Sequence, residues 1–175
     1  AWGAVLEAGA FATPYIATTT AAATRAAPVC NTTNLGWYNA TEGTFVSKQT
    51  RYATAIADGN IYEINDGTSA NRISGGTGAS GSVLNPFVIV SNVAQATLTQ
   101  GAGSVVNTHT MAVAIKANDF AASTDGAAVV TDVSGTMPTV TTLTVGNNSG
   151  AAASWNGWIA SLTYYPLRLP NSTLQ

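Results

Sequence analysis

Charge is what this sequence has least of. Its 175 residues include 6 Lys or Arg and 8 Asp or Glu, so 8% are charged, against about 25% in an ordinary soluble domain. The few cations are scattered and the net charge is −2, which argues against a nucleic-acid partner. Cys30 and His109 are each the single residue of their type. One cysteine excludes an intrachain disulfide, and Cys30 reads as a small, semi-buried residue. One histidine leaves one base for any serine or cysteine nucleophile, and no Gly-x-Ser-x-Gly elbow accompanies it. His109 reads as a half-exposed strand histidine. Long apolar runs are missing too. The most apolar stretch, residues 86–93, is broken by Asn92 and is far too short to cross a bilayer as a helix.

What is present is short-period alternation. Hydrophobic residues make up 46% of the chain, enough for one domain with a sizeable core. Alanine, threonine, glycine, serine and asparagine take the place of surface charge, which suits a chain packed against other subunits. In the stretch Asn156-Gly-Trp-Ile-Ala-Ser-Leu-Thr-Tyr-Tyr-Pro-Leu-Arg-Leu, Trp158, Ala160, Leu162 and Tyr164 alternate with Ile159, Ser161, Thr163 and Tyr165. That is the period of a strand, and it places Trp158, Leu162 and Tyr164 on one core-facing side. Strands are also predicted over residues 1–9, 42–52, 61–64, 71–74, 87–90, 108–116, 120–122, 127–130 and 143–146. Asn65-Asp-Gly-Thr and Asp125-Gly126 read as turns. Residues 75–81 and 147–153 read as flexible loops, and residues 87–90 as a strand buried on both faces. Many short strands, frequent turns and almost no helical periodicity predict an all-β sandwich or barrel.

Several motifs occur in the order found in one family. The closing "N-G-x-I-x-x-L-x-Y-Y-P-x-R-L", the opening "W-Y-N-x-x-E-G-T-F-V" at residues 37–46 and the hairpin "I-x-E-I-x-D-G-T-x-x-N-R-I" at residues 61–73 resemble the concanavalin A-like (laminin G-like) jelly rolls of tailed-bacteriophage structural proteins. The run Ala117-Asn-Asp-Phe-Ala-Ala-Ser is similar as well. The resemblance implies an antiparallel two-sheet jelly-roll sandwich of the concanavalin A-like lectin/glucanase type over residues 34–175. Residues 1–33 read as an extended N-terminal arm or linker. They are similar to passages that follow an earlier module in such proteins, so they are expected to be its remnant. The chain begins Ala1-Trp2-Gly3 without methionine, so a fragment, a processed product or the ordered part of a larger chain is expected. The tail at residues 169–175 resembles the family's short closing helix. Pro170 and Thr173 stand where that helix usually has serine and glutamate, so its cap is weakened.

The chemistry expected of this sequence is binding. Glycan-cleaving enzymes need two carboxylates near each other. The best sequence pair, Glu63 and Asp66, lacks the third acid of the Glu-x-Asp-x-(x)-Glu signature, so no catalytic residue is assigned. Calcium accompanies many laminin G-like folds, but Asp58, Asp66, Asp119, Asp125 and Asp132 are dispersed, and the ion needs six to eight oxygens. No metal and no cofactor are expected. For a sugar, Trp155 after the 147–153 loop is the expected exposed ring, with Asn65, Asp66, Asn71 and Arg72 as polar contacts. At each position the bland alternative is a turn residue or a packed ring. The resemblance implies a non-enzymatic virion component, either a lectin-like module touching host-surface glycans or a structural decoration or connector domain. Other virion subunits, a homo-oligomer and host glycans are the expected partners; nucleic acid and membrane insertion are not.

Overall fold

A computed structural model describes residues 29–52, 58–78, 83–101 and 106–175. The expectations for residues 1–28 and for residues 79–81 of the predicted loop fall outside these. The described chain is all β apart from one 3-10 turn, with every ladder antiparallel. Sheet A has the order β1 (Cys30–Thr32), β10 (Thr142–Val145), β3 (Gly59–Asn65), β4 (Arg72–Thr77), β5 (Phe87–Val90), β6 (Val93–Thr97). Sheet B has the order β11 (Gly157–Tyr165), β2 (Glu42–Arg51), β7 (Thr108–Lys116), β8 (Phe120–Thr124), β9 (Val130–Asp132). This is the antiparallel two-sheet jelly roll that the motifs imply. Cys30–Thr32, from the end of the stretch read as an arm, pairs with β10 and so belongs to sheet A; Cys30 is exposed rather than semi-buried.

The core lies between the sheets, where apolar residues meet at alternate positions. Phe45 of β2 stacks on Tyr62 of β3 with ring centroids 4.6 Å apart, and Tyr164 of β11 meets Phe45 at 4.8 Å. Trp37 extends the series onto Tyr164 at 5.1 Å. Two glycines make the stack fit. A Cβ on Gly75 would run into the Tyr62 ring, and one on Gly43 into the Tyr164 ring. Hence Gly75 and Gly76 are buried strand residues of β4, not part of a flexible loop.

Bulges decide which residues the core receives. The β11–β2 register slips between Ile159 and Ser161, so one residue is added and the alternation changes face. Ile159, Leu162 and Tyr164 are partly buried against the core, and Trp158 is 66% exposed instead of sharing their side. In β5 only Val88 is fully buried: it pairs with Ile73 on the core side, whereas Phe87 lies on the outer face against Arg72.

The ends of the hairpins are set by side chains. Asp125 and Gly126 both have positive φ, 53° and 75°, as a two-residue hairpin turn requires. His109 is buried rather than half-exposed. Its Nδ1 lies 2.5 Å from Asp125 Oδ2, and the Thr110 N–H donates to Asp125 Oδ1 at 2.8 Å. The C-terminal tail crosses the outer face of sheet B. Leu169 N–H donates to Thr44 Oγ1, Arg168 pairs with Asp119 at 2.8 Å, and Leu174 is buried with Ala112, Ala114 and Ala121. Its helix is one 3-10 turn, Asn171–Thr173, without a side-chain cap.

Two outcomes follow. Gly75→Ala is expected to destabilise by about 1–3 kcal/mol through overpacking against Tyr62, whereas Gly101→Ala, with open space around it, should change stability by less than about 0.5 kcal/mol; urea unfolding compares them. Burial raises the Asp125 pKa, but hydrogen bonds from His109 and Thr110 outweigh it and hold the group below its ordinary value. Its ionised form therefore adds stability above the ordinary aspartate range, and this is lost as pH falls through the lowered folded value. Asp125→Asn should flatten the acid side of a melting-temperature profile.

Candidate functional site

On its outward face, β3 carries polar residues where the core face carries Tyr62 and Ile64. A register slip between Asn60 and Tyr62 adds Ile61 to the strand, which puts Asn60 on the same side as Glu63 and Asn65. Glu63 sits directly across from Ser74 of β4 and Thr144 of β10, and Asn65 across from Arg72. The central carboxylate is 2% exposed, and charge this deep must be hydrogen-bonded. Asn60 Nδ2 donates to Glu63 Oε2 at 3.2 Å, Asn65 Nδ2 to Oε1 at 3.1 Å, and the Ser149 N–H to Oε1 at 2.8 Å. Arg72 Nε lies 3.6 Å from Oε2. Burial pushes the Glu63 pKa up, with the Ser149 hydrogen bond and Arg72 acting in the opposite direction.

The loop that covers Glu63 is stitched down. Asn147 is buried; its Oδ1 accepts from the Asn148 and Ala153 N–H groups at 2.9 and 3.1 Å. Asn148 Oδ1 accepts from Ala152 N–H at 2.8 Å, and the Asn60 N–H reaches Ala153 O at 2.9 Å. Residues 147–153 thus form a fixed wall rather than a flexible loop. Between this wall and the β3–β4 turn lies a cleft of about 110 Å³, lined by Asp58, Asn60, Glu63, Ser69, Arg72 and Phe87 among others. Arg72 is held on three sides: its guanidinium lies over the Phe87 ring at 5.1 Å, donates to Ser69 O and faces Glu63. Such stacking fixes a planar cation more firmly than a lysine could be fixed.

The structure places the sequence-predicted residues unequally. Arg72 lines the cleft. Asn65, Asp66 and Asn71 lie next to it but are spent on the hairpin. Asn65 holds Glu63 and the Gly67 N–H; Asp66 accepts from Thr68 and Asn71; Asn71 Oδ1 accepts from the Ser91 N–H. The Thr68 and Asn71 bonds hold the Asp66 pKa low. Glu63 and Asp66 do not act as a pair, since each carboxylate has its own set of donors. Trp155 is a correction: it is 2% exposed and belongs to the core cluster. Its Nε1 donates to Thr50 O at 3.2 Å and Trp158 O at 3.3 Å, and Arg51 lies 5.4 Å from its ring centre. Asn60, Glu63, Phe87 and Asn148 were not among the predicted contacts. Nothing in the sequence marks the Ile61 bulge that groups the first two. Among the described residues no three His, Cys, Asp or Glu side chains gather as metal ligands. Asp119, Asp125 and Asp132 are taken by Arg168, His109 and Ser134 respectively.

Because burial favours the protonated form of Glu63, its share of stability is fullest below the ordinary glutamate value and falls as pH rises through the raised one. Glu63→Gln should remove that decline. Denaturant midpoints of both proteins across about pH 4–8 should diverge as pH rises, with the variant gaining.

Comparison with known proteins agrees with the architecture. No protein-family model matches the sequence, and no curated protein does. Solved structures do. The CBM40 of Ruminococcus gnavus IT-sialidase, bound to α2,3-sialyllactose, superposes with a TM-score of 0.62 at 13% identity, over 77% of this chain and 80% of that one. A leech intramolecular trans-sialidase gives 0.64 at 14% identity, over 83% and 25% of the two chains. Domains LG4-5 of the mouse laminin α1 chain give 0.56 at 14%, over 75% and 37%. The chain thus spans 37% of the laminin structure and 25% of the leech enzyme. At such identities the likeness shows the fold, and the fold is a concanavalin A-like, laminin G-like jelly roll.

Proposed function

We propose that this chain is a non-enzymatic, lectin-like module that binds host-surface glycans through the Glu63–Arg72 cleft, carried on the particle of a tailed phage as a fibre, spike or head appendage. The observation that carries the binding reading is the immobilised Arg72. It is backed by Phe87, anchored by Ser69 O and Glu63, and still 23% exposed at the cleft. A cation fixed in advance gives charge-assisted hydrogen bonds to sugar oxygens at little entropic cost. Asn148 adds an amide beside it and Ser69 a hydroxyl, while the Asn60 amide is engaged by Glu63 and Ser74. The Ruminococcus CBM40 holds a sugar, α2,3-sialyllactose, which supports a glycan for this fold. The virion setting rests on the sequence motifs and the low surface charge.

Asp58 and Glu63 both line the cleft, and two carboxylates are the equipment of a glycosidase. Glu63 is already engaged by three amide donors and buried, so its role here is to anchor Arg72 and the wall. Binding is proposed to need neither calcium nor any other cofactor. Nucleic acid and membrane insertion play no part in this reading. The second reading, a decoration or connector domain binding neighbouring virion subunits, draws on the uncharged β11 face.

A glycan array with the folded chain tests the proposal. Specific binding is expected, unchanged by EDTA and without release of sugar. Arg72→Ala and Phe87→Ala should each weaken it by at least about tenfold, the scale of losing a hydrogen bond to a charged group. No binding by protein with a normal melting transition, or binding indifferent to Arg72→Ala, would contradict it.

A further inference from the structure

The edges of the two sheets are unequal. β1 and β9, an edge of sheet A and one of sheet B, have three residues each, and the other sheet A edge, β6, has five. The remaining edge is β11, with nine. Among the described residues nothing pairs with its outer side. A long open edge offers unpaired N–H and C=O groups, and proteins usually guard one with charge or proline. Gly157–Tyr165, GWIASLTYY, has no Lys, Arg, Asp, Glu or Pro. Its one irregularity is the bulge at Ala160, and beyond it Ser161–Tyr165 run in unbroken register with β2. The C-terminal tail turns toward β7 and β8 and away from this edge. Exposed apolar side chains collect here as well: Trp158 at 66% and Tyr165 at 43% on the strand, Leu167 at 54% just after it, and Trp37 at 40% against Tyr164.

We propose that this edge is a homotypic interface: two copies pair β11 antiparallel across a two-fold axis through Thr163, joining two five-stranded sheets into one. The occupant is a second copy because a neutral strand meets its own image without like charges. A two-fold edge contact is also self-complementary. With Thr163 at the axis, Ser161 faces Tyr165 of the other copy, and Trp158 comes toward its Leu167. Tryptophan and tyrosine are the residues most enriched where interfaces hold their energy. The Glu63–Arg72 cleft lies on the outer face of the other sheet, so pairing leaves both clefts open and makes the particle-borne module divalent. The interface stands whether or not the cleft binds glycan.

Sedimentation velocity of the whole chain over a range of concentrations reads the interface. The wild type is expected to form dimers that stop at two. Thr163 is exposed, so its replacement should leave the fold intact, as a melting curve verifies. Thr163→Lys puts two like charges at the axis and should weaken association by at least about tenfold. Thr163→Glu should do the same alone. Mixing the two variants should restore the dimer, an outcome that no general loss of stability produces. A wild type monomeric throughout overturns the proposal, including one whose β11 amides exchange slowly because residues 1–28 cover them. So do trimers, dimers unaffected by Thr163→Lys, or a mixture that stays monomeric.

Discussion

Within the core that joins the two sheets, Phe45 stacks on Tyr62, and much around that contact is arranged to allow it. The rings lie 4.6 Å apart at an interplanar angle of 23°, near an offset stack. To bring them together β4 must pass Tyr62 without a side chain, hence Gly75, and β2 must pass Tyr164 likewise, hence Gly43. The Tyr164 hydroxyl then reaches the chain before β2, accepting from the Asn39 N–H at 3.1 Å and donating to Glu42 O at 3.1 Å. One series of rings thereby ties β3, β2 and β11 to the segment that opens the domain. Once the inward face of β3 is committed to Tyr62 and Ile64, its outward face is free to be polar, and Glu63 sits there.

The sequence displayed the fold well because its signals are local and repeat. Alternation in β2, β7 and β11, and Asp125-Gly126 at a hairpin, need no knowledge of partners. The ordered motifs supplied the topology. What it did not display was bulges. An extra residue in a strand leaves no compositional mark, yet it reverses every later side chain. Thus Trp158, read as core, is the exposed ring. Trp155, read as exposed, is sealed beneath Thr50 and Arg51. The same device at Ile61 groups Asn60 with Glu63. Arg72 was legible because it follows a recognisable turn. Asn65, Asp66 and Asn71 were legible as turn-formers, and their hydrogen-bonding capacity goes into that turn. Gly75 and Gly76 looked like loop residues because a sequence does not show the ring that needs the space.

The buried carboxylate sets stability against function. Glu63 is costly where it lies, since burial outweighs its hydrogen bonds and raises its pKa. A chain selected for stability alone would place an uncharged residue there. Perturbed groups of this kind concentrate at functional sites, and this one is surrounded by what a ligand site needs: a fixed cation, amides and a rigid wall. The opposite sheet has a different character, with an uncharged, aromatic edge strand and the tail packed on its outer face. The proposed glycan cleft and the proposed pairing edge therefore lie on separate sheets.

The central claim is that the outer face of β3–β4, and not another surface, receives the glycan. Amide chemical-shift mapping during titration with a glycan the chain binds tests it most directly. The account predicts shifts concentrated at Asn60, Ser69, Arg72, Phe87 and Asn148, with β11 and β2 undisturbed. Shifts centred on Trp158 and its neighbours in sheet B, with the cleft silent, would contradict it.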